Sequence, residues 1–253
     1  MYPCLLQDQD VLHKIIKSSG GVARRASFRV LCVLALGLTG QLVLADNLEL
    51  PSPQQTEIAQ KRMSPDVRQV VHWVIASADN QNLPFAVVDK VSANVFVFNS
   101  HGELLGAAAV LLGLATGDDS VPGIGQRKLA SIQPYERTTP AGRFVAALDH
   151  NISGSEVLWV DYDTAVSMHP VITSNVKEQR AQRLATPSPL DNRITYGCIN
   201  VPAGFFANVI HPAFAGTSGI VYVLPETRPL KKVFTSYQGD PALVMAGVAS
   251  QKS

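Results

Sequence analysis

From Phe85 to Leu224 the chain is broken into short runs of Val, Phe and other strand-forming residues separated by Gly, Asn, Ser and Asp. That punctuation limits the fold more than any other feature. Phe85 to Asp89, Asn94 to Asn99 and Glu103 to Leu112 read as an antiparallel meander, with a turn at Ser100-His101-Gly102. Further strands are expected at 143–149, 156–161, 164–168 and 219–224. Helices interrupt them rarely. Ser64-Pro65-Asp66 supplies an N-cap, a first-turn proline and an acidic residue, and Val67, Val70, Val71, Val74 and Ile75 follow at helical spacing, predicting a helix over 65–78. Shorter helices are expected at 176–184 and from Pro202 through Val209. The regular strand-to-helix alternation of a parallel βαβ fold is absent, so the expectation is a mostly β domain with a few peripheral short helices.

Before the domain, residues 28–45 form an apolar run behind Arg24, Arg25 and Arg29, ending in Val43 and Ala45 ahead of Asp46. This three-part pattern predicts a secretory signal peptide over 1–45, cleaved after Ala45. A membrane span needs about 20 apolar residues, and Gly37, Thr39, Gly40 and Gln41 interrupt this run, so no stable span is expected after processing. The general export route fits better than a twin-arginine one, because Phe28 lies one place too far from Arg24-Arg25. Residues 46–61, with Pro51 and Pro53, read as a polar linker, 62–84 as an N-terminal helical segment, 85–225 as the main domain and 226–253 as a loosely structured tail. The expected location is the periplasm or cell envelope.

Export changes the meaning of the cysteines. The 253-residue chain has three, too few for a disulfide scaffold; the leader carries Cys4 and Cys32, so processing is expected to leave Cys198 alone in an oxidising compartment. With 21 Lys+Arg against 20 Asp+Glu and 7% aromatic residues, nothing recommends nucleic acid as a partner. The glycine-rich stretch 113–125 lacks the ending of a phosphate loop, and Asp118-Asp119 reads as a solvated acidic turn. No His, Cys and carboxylate set has metal spacing, and no cofactor is expected.

Cys198 follows Gly197, which permits a tight turn and close substrate approach, and precedes a helix whose N-terminus would point amides toward a thiolate or oxyanion. A thiol of pKa about 8.5 needs a base to become a nucleophile. His169, at the end of an apolar strand, is the candidate. His72, His101, His150 and His211 read as surface or packing residues.

Three elements occur in an order that resembles the L,D-transpeptidase catalytic domain of the YkuD type, in a proteobacterial-type exported form. They are Thr139-Pro140-Ala141-Gly142-Arg143-Phe144, like the family's Thr-Pro-x-Gly-x-Phe run; the strand ending in His169; and Thr195-Tyr196-Gly197-Cys198-Ile199-Asn200, like its Ser/Thr-His-Gly-Cys signature. The resemblance covers roughly 85–225 and implies a β-sandwich with Cys198 as nucleophile, His169 as general base and a main-chain carbonyl behind it. It also implies Gly197 and the Cys198 amide in an oxyanion hole. The implied substrate is a peptidoglycan stem peptide, and the implied acceptor an amine of a second stem peptide or a lipoprotein. Water as acceptor would make a carboxypeptidase or endopeptidase, and loss of turnover a wall-binding domain.

The chain departs from the family in three places. Tyr196, a further catalytic candidate, stands where histidine is usual, and Asn200 where arginine is common. The stretch from His169 to Cys198 is longer than usual, with the 170–195 region as an apparent insertion. Arg193, Arg183, Asn200 and Thr195 are the candidates for binding substrate.

Overall fold

The computed structural model describes residues 52–237. The signal peptide and its cleavage point, the start of the linker and the end of the tail lie outside the described residues.

Two helices come first. The second half of the expected linker is itself helical, α1 (Pro53–Arg62). α2 (Pro65–Ser77) begins where Ser64 Oγ accepts from the Val67 amide at 3.3 Å and ends at Ala78 in the left-handed conformation. Val67, Val70, Trp73 and Val74 bury one stripe of it.

Strands β1 (Phe85–Asp89), β2 (Asn94–Phe98) and β3 (Leu104–Ala109) form the expected meander. A two-residue β4 (Leu112–Gly113) follows as a separate piece. β5 (Gly142–His150), β6 (Glu156–Asp161) and β7 (Val166–Pro170) form a second antiparallel run. A long connection carries a 3-10 turn at Val176–Glu178, α3 (Arg180–Ala185) and β8 (Arg193–Thr195), which pairs with β4, and leads to β9 (Ile199–Val201). After α4 (Ala203–Phe205), a π-helical turn (Phe206–Ile210) and α5 (His211–Phe214), the chain ends in β10 (Gly219–Val223) and α6 (Leu230–Val233).

Eight strands make one sheet in the order β3-β2-β1-β10-β5-β6-β7-β9. Two pairs, β1 with β10 and β7 with β9, are parallel, a feature the expected meander did not include. Leu111, just past the β3 edge, exchanges both backbone hydrogen bonds with Asn200 on the β9 edge, each 2.9 Å. The sheet therefore curls until its two edges meet, and the mostly β architecture is close to a barrel.

Period-2 alternation splits the apolar side chains between two cores. Ala86, Val88, Val95, Val97, Met168, Ile199, Val221 and Val223 point inward, where Phe206, Ile210 and Phe214 plug the curl. Phe85, Val87, Phe96, Phe98, Ile220 and Tyr222 point the other way, against α1 and α2. β1, β2 and β10 are thus buried on both faces. The region expected to be a loose tail contributes to the second core: Trp73 packs edge-on against Tyr222 and Tyr237 and tilted against Phe234.

The expected solvated turn at Asp118-Asp119 is corrected at its first residue. Asp118 is buried, and its carboxylate accepts from Lys90 Nζ (2.9 Å), the amides of Glu226 (2.8 Å) and Thr227 (2.9 Å), and Thr227 Oγ1. Burial alone would raise its pKa, but those donors outweigh burial and hold it well below the usual carboxylate range. Lys90 is fully buried; it also reaches the carbonyls of Thr139 (3.0 Å) and Gly117, and Glu226 Oε1 at 3.5 Å. One cation therefore gathers the chain after β1, the 114–118 loop and the residues after β10. Lys90→Met would leave two buried carboxylates without it, and we expect a loss of about 3–5 kcal/mol in chemical denaturation; a loss below 1 kcal/mol would contradict this role.

Candidate functional site

β7 and β9 run in parallel with Met168 beside Ile199, His169 beside Asn200 and Pro170 beside Val201. Val166, Met168, Ile199 and Val201 enter the inner core, so alternation puts Ser167, His169, Cys198 and Asn200 together on the opposite face. One step back along the register, Ser167 lies level with Cys198: its amide is 3.5 Å and its Oγ 3.8 Å from Cys198 Sγ. Ala165 O is 3.6 Å from the same sulfur. His169 is two residues farther along that face.

The turn leading into Cys198 is pinned from two sides. Gly197 has φ 132°, and a Cβ there would meet Thr138 O at 2.9 Å, so a side chain is excluded by both backbone conformation and space. Thr139 Oγ1 donates to Gly197 O (2.7 Å) and accepts from the Gly113 amide (2.9 Å). Thr195 Oγ1 donates to Cys198 O (2.6 Å) and accepts from the Gly197 amide (3.1 Å). The Gly197 amide expected in an oxyanion hole is therefore engaged by Thr195 in this conformation. The following helix does not start at the sulfur either: β9 intervenes, placing α4 roughly 10 Å along the chain.

Cys198 is only 2% exposed. It borders a cavity of about 10 Å³, room for about one water, lined by Cys198, Tyr196, Thr138, Ala165, Val166 and Ile124 among others. Tyr196 forms one wall, packed against Ile124, Leu129 and Ile132, with the Arg137 guanidinium 3.9 Å from its ring centroid. The 114–138 segment that covers this wall is braced by a two-pronged Arg127–Glu136 pair. Cys198, the expected lone cysteine of the mature chain, is disulfide-bonded.

Both ring nitrogens of His169 have partners. Nδ1 is 2.9 Å from Pro170 O, a main-chain carbonyl of the kind the resemblance implies, and Nε2 is 2.9 Å from Asn200 Nδ2. Burial, reinforced by the Arg180 charge and only partly opposed by the Pro170 hydrogen bond, lowers its pKa to about 4. The imidazole is neutral at ordinary pH.

The residues expected to bind substrate have intramolecular roles instead. Arg193 pairs with Glu226 and donates to Lys90 O (2.9 Å). Arg183 holds the insertion together through Glu178 O (2.8 Å) and Asp191 O (2.6 Å). Asn200 is fully buried between His169 and Arg180, and Thr195 serves the turn. Each of these side chains is thus engaged within the protein. Sequence reasoning also passed over Thr139 as the staple of the cysteine turn, although it opens the Thr-Pro-x-Gly-x-Phe run. Ser167 was likewise missed, two places before the histidine. Among the described residues no group of three or more His, Cys, Asp or Glu could hold a metal ion, and no helix is long and apolar enough to cross a membrane.

No family model and no curated protein matches the chain. Solved structures do. The L,D-transpeptidase catalytic domain of E. faecium is 15% identical over 55% of this chain and 95% of its own, with a TM-score of 0.31. The L,D-transpeptidase of Mycobacterium smegmatis is 13% identical over 56% of this chain and 58% of its own, with a TM-score of 0.31. The helical cell shape determining protein of Campylobacter jejuni is 14% identical over 66% of this chain and 57% of its own, with a TM-score of 0.38.

The lowered His169 pKa has a stability consequence with a definite sign. The unfolded histidine titrates near 6.5 and the folded one near 4, so its contribution is complete above pH 6.5 and is lost as pH falls toward 4. We expect the unfolding free energy of the full-length protein, from denaturant titrations, to drop across that window by ~3 kcal/mol at most, and His169→Gln to remove this component. An unchanged pH slope in that variant would contradict the assignment.

Proposed function

We propose that the mature protein is an exported cysteine acyltransferase of the L,D-transpeptidase type, acting on peptidoglycan stem peptides in the periplasm or cell envelope. The observation that carries this reading is the β7–β9 register, which sets Cys198 and His169 on one face behind a side-chain-free Gly197 turn. The three sequence elements resembling that family support it: the Thr139–Phe144 run leads into β5, the histidine lies one residue before the end of β7, and the Tyr-Gly-Cys turn enters β9.

In this mechanism the reduced Cys198 thiol gives its proton to His169, and the thiolate attacks the carbonyl of the third residue of the stem peptide. Collapse of the tetrahedral adduct breaks the bond to the terminal D-residue, whose amine takes the proton back from His169. The thioester on Cys198 is then attacked by the amine of a second stem peptide or a lipoprotein, forming the cross-link and restoring the thiol. A neutral histidine suits the first step, since it arrives unprotonated; its Nε2 faces Asn200 and has to leave that partner to take the thiol proton.

The cavity at Cys198 holds about one water, so a peptide reaches the sulfur only after a covering segment moves. The 114–138 segment is the wall to displace, and the Arg137–Tyr196 contact is what it gives up.

The test is incubation of the reduced, processed protein and its Cys198→Ala variant with tetrapeptide muropeptides, followed by mass spectrometry of the products. Cross-linked dimers from the wild type alone are expected, with activity at least 10³-fold lower in the variant. Tripeptide without dimers would make water the acceptor. Unchanged substrate with both proteins would end the enzymatic reading.

A further inference from the structure

The apparent insertion between β7 and β9 sends one charged side chain into the interior. Arg180, at the start of α3, is 4% exposed; its Nε donates to Glu178 in a short ion pair and its Nη1 donates to Asn200 Oδ1 at 2.6 Å. Asn200 is itself fully buried, and its other side-chain terminus faces His169 Nε2 at 2.9 Å.

The chemistry of these groups leaves one arrangement of protons. A guanidinium only donates, so the Asn200 atom facing it has to be the carbonyl oxygen. The Asn200 NH2 group then faces the histidine and donates, so Nε2 accepts and carries no proton. The proton of the neutral ring sits on Nδ1, where Pro170 O receives it. An arginine with no hydrogen bond to the histidine thereby decides which of its nitrogens is protonated.

We propose that Arg180 is a positioning residue that orients the Asn200 amide and, through it, fixes His169 as the Nδ1–H tautomer with its Nε2 lone pair held by Asn200. The inference deepens the proposed function and rests on it only for the histidine's role as base. Asn200 stands where the family commonly has arginine, and Arg180 comes from the stretch by which this chain exceeds the usual spacing, so the arrangement is particular to these residues. The 171–192 connection thereby acquires a role, because the segment that carries Arg180 sets, through Asn200, which nitrogen of the base carries the proton.

Electrostatics acts in the same direction. Arg180 is the charged group whose field reaches His169 and disfavours its protonation. Glu178 is paired to that arginine, and Cys198 lies two residues away along the same face.

The experiment is NMR of histidine-labelled full-length protein, reading ring-nitrogen shifts and titration midpoint, with the His169 signal assigned by its loss in His169→Gln. In the wild type we expect the Nδ1–H tautomer and a midpoint near 4. Arg180→Met should mix the tautomers and move the midpoint up toward 6.5, and Arg180→Lys, which still donates to Asn200 Oδ1, should restore most of the wild-type signal. Asn200→Asp removes the NH2 donor, so Nε2 should become protonated and the midpoint rise above 6.5. A wild-type ring protonated on Nε2 overturns the inference without any variant, and so does an Arg180→Met ring with unchanged tautomer and midpoint. No peptidoglycan substrate enters these measurements. An inactive protein with the expected tautomer would sink only the enzymatic reading, and an active one with the other tautomer only this inference.

Discussion

The parallel pairing of β7 with β9 is the constraint on which the rest depends. Because side chains alternate, the two strands supply the inner core with Met168, Ile199 and Val201 and the opposite face with Ser167, His169, Cys198 and Asn200. A slip of one residue in either strand would send a histidine or a thiol into the apolar interior and a methionine or isoleucine out of it. The register that gathers the reactive side chains is therefore held by the free energy of core burial. Asn200 shows how closely the two are joined: its backbone closes the curled sheet against Leu111, while its side chain holds His169.

Two buried cations flank this seam, and each has a carboxylate and further acceptors beside it, as desolvation requires. Lys90 gathers Asp118, Glu226 and the Thr139 carbonyl, and Thr139 in turn holds the Gly197 carbonyl and the Gly113 amide. Arg180 joins the insertion to Asn200. The first arrangement fixes the turn that delivers Cys198, and the second fixes the ring of His169. Both the 114–118 loop and the segment that carries Arg180 are thus tied to the site by charge-assisted hydrogen bonds, which are strong and directional.

Much of the fold was legible in the sequence because its signals are local. The strands at 85–89 and 156–161 are uninterrupted apolar runs bounded by turn residues, and α2 carries its own cap and proline. The Tyr-Gly-Cys turn and the strand-end histidine were legible too, since residue type and order sufficed to pick them out. What escaped depends on partners distant in sequence. Asp118 resembles a solvated turn until Lys90, 28 positions earlier, is brought beside it. Phe234 and Tyr237 look like tail residues until Trp73 is folded against them. Arg193 and Arg183 resemble carboxylate binders because an arginine's partner is invisible in a linear pattern, and Glu226 and the Asp191 carbonyl claim them. The parallel strand pairs join segments too far apart for any turn to announce them.

The central claim is that Cys198 becomes acylated by a stem peptide. Intact-protein mass spectrometry of the reduced, processed protein, quenched in acid within the first turnovers with a stem tetrapeptide, tests it most directly. The account predicts a covalent tripeptidyl adduct, lighter than the added peptide by the departed D-residue, that maps to Cys198 and is discharged by hydroxylamine. An adduct that maps to another residue, or turnover that proceeds with Cys198 replaced by alanine, would contradict it.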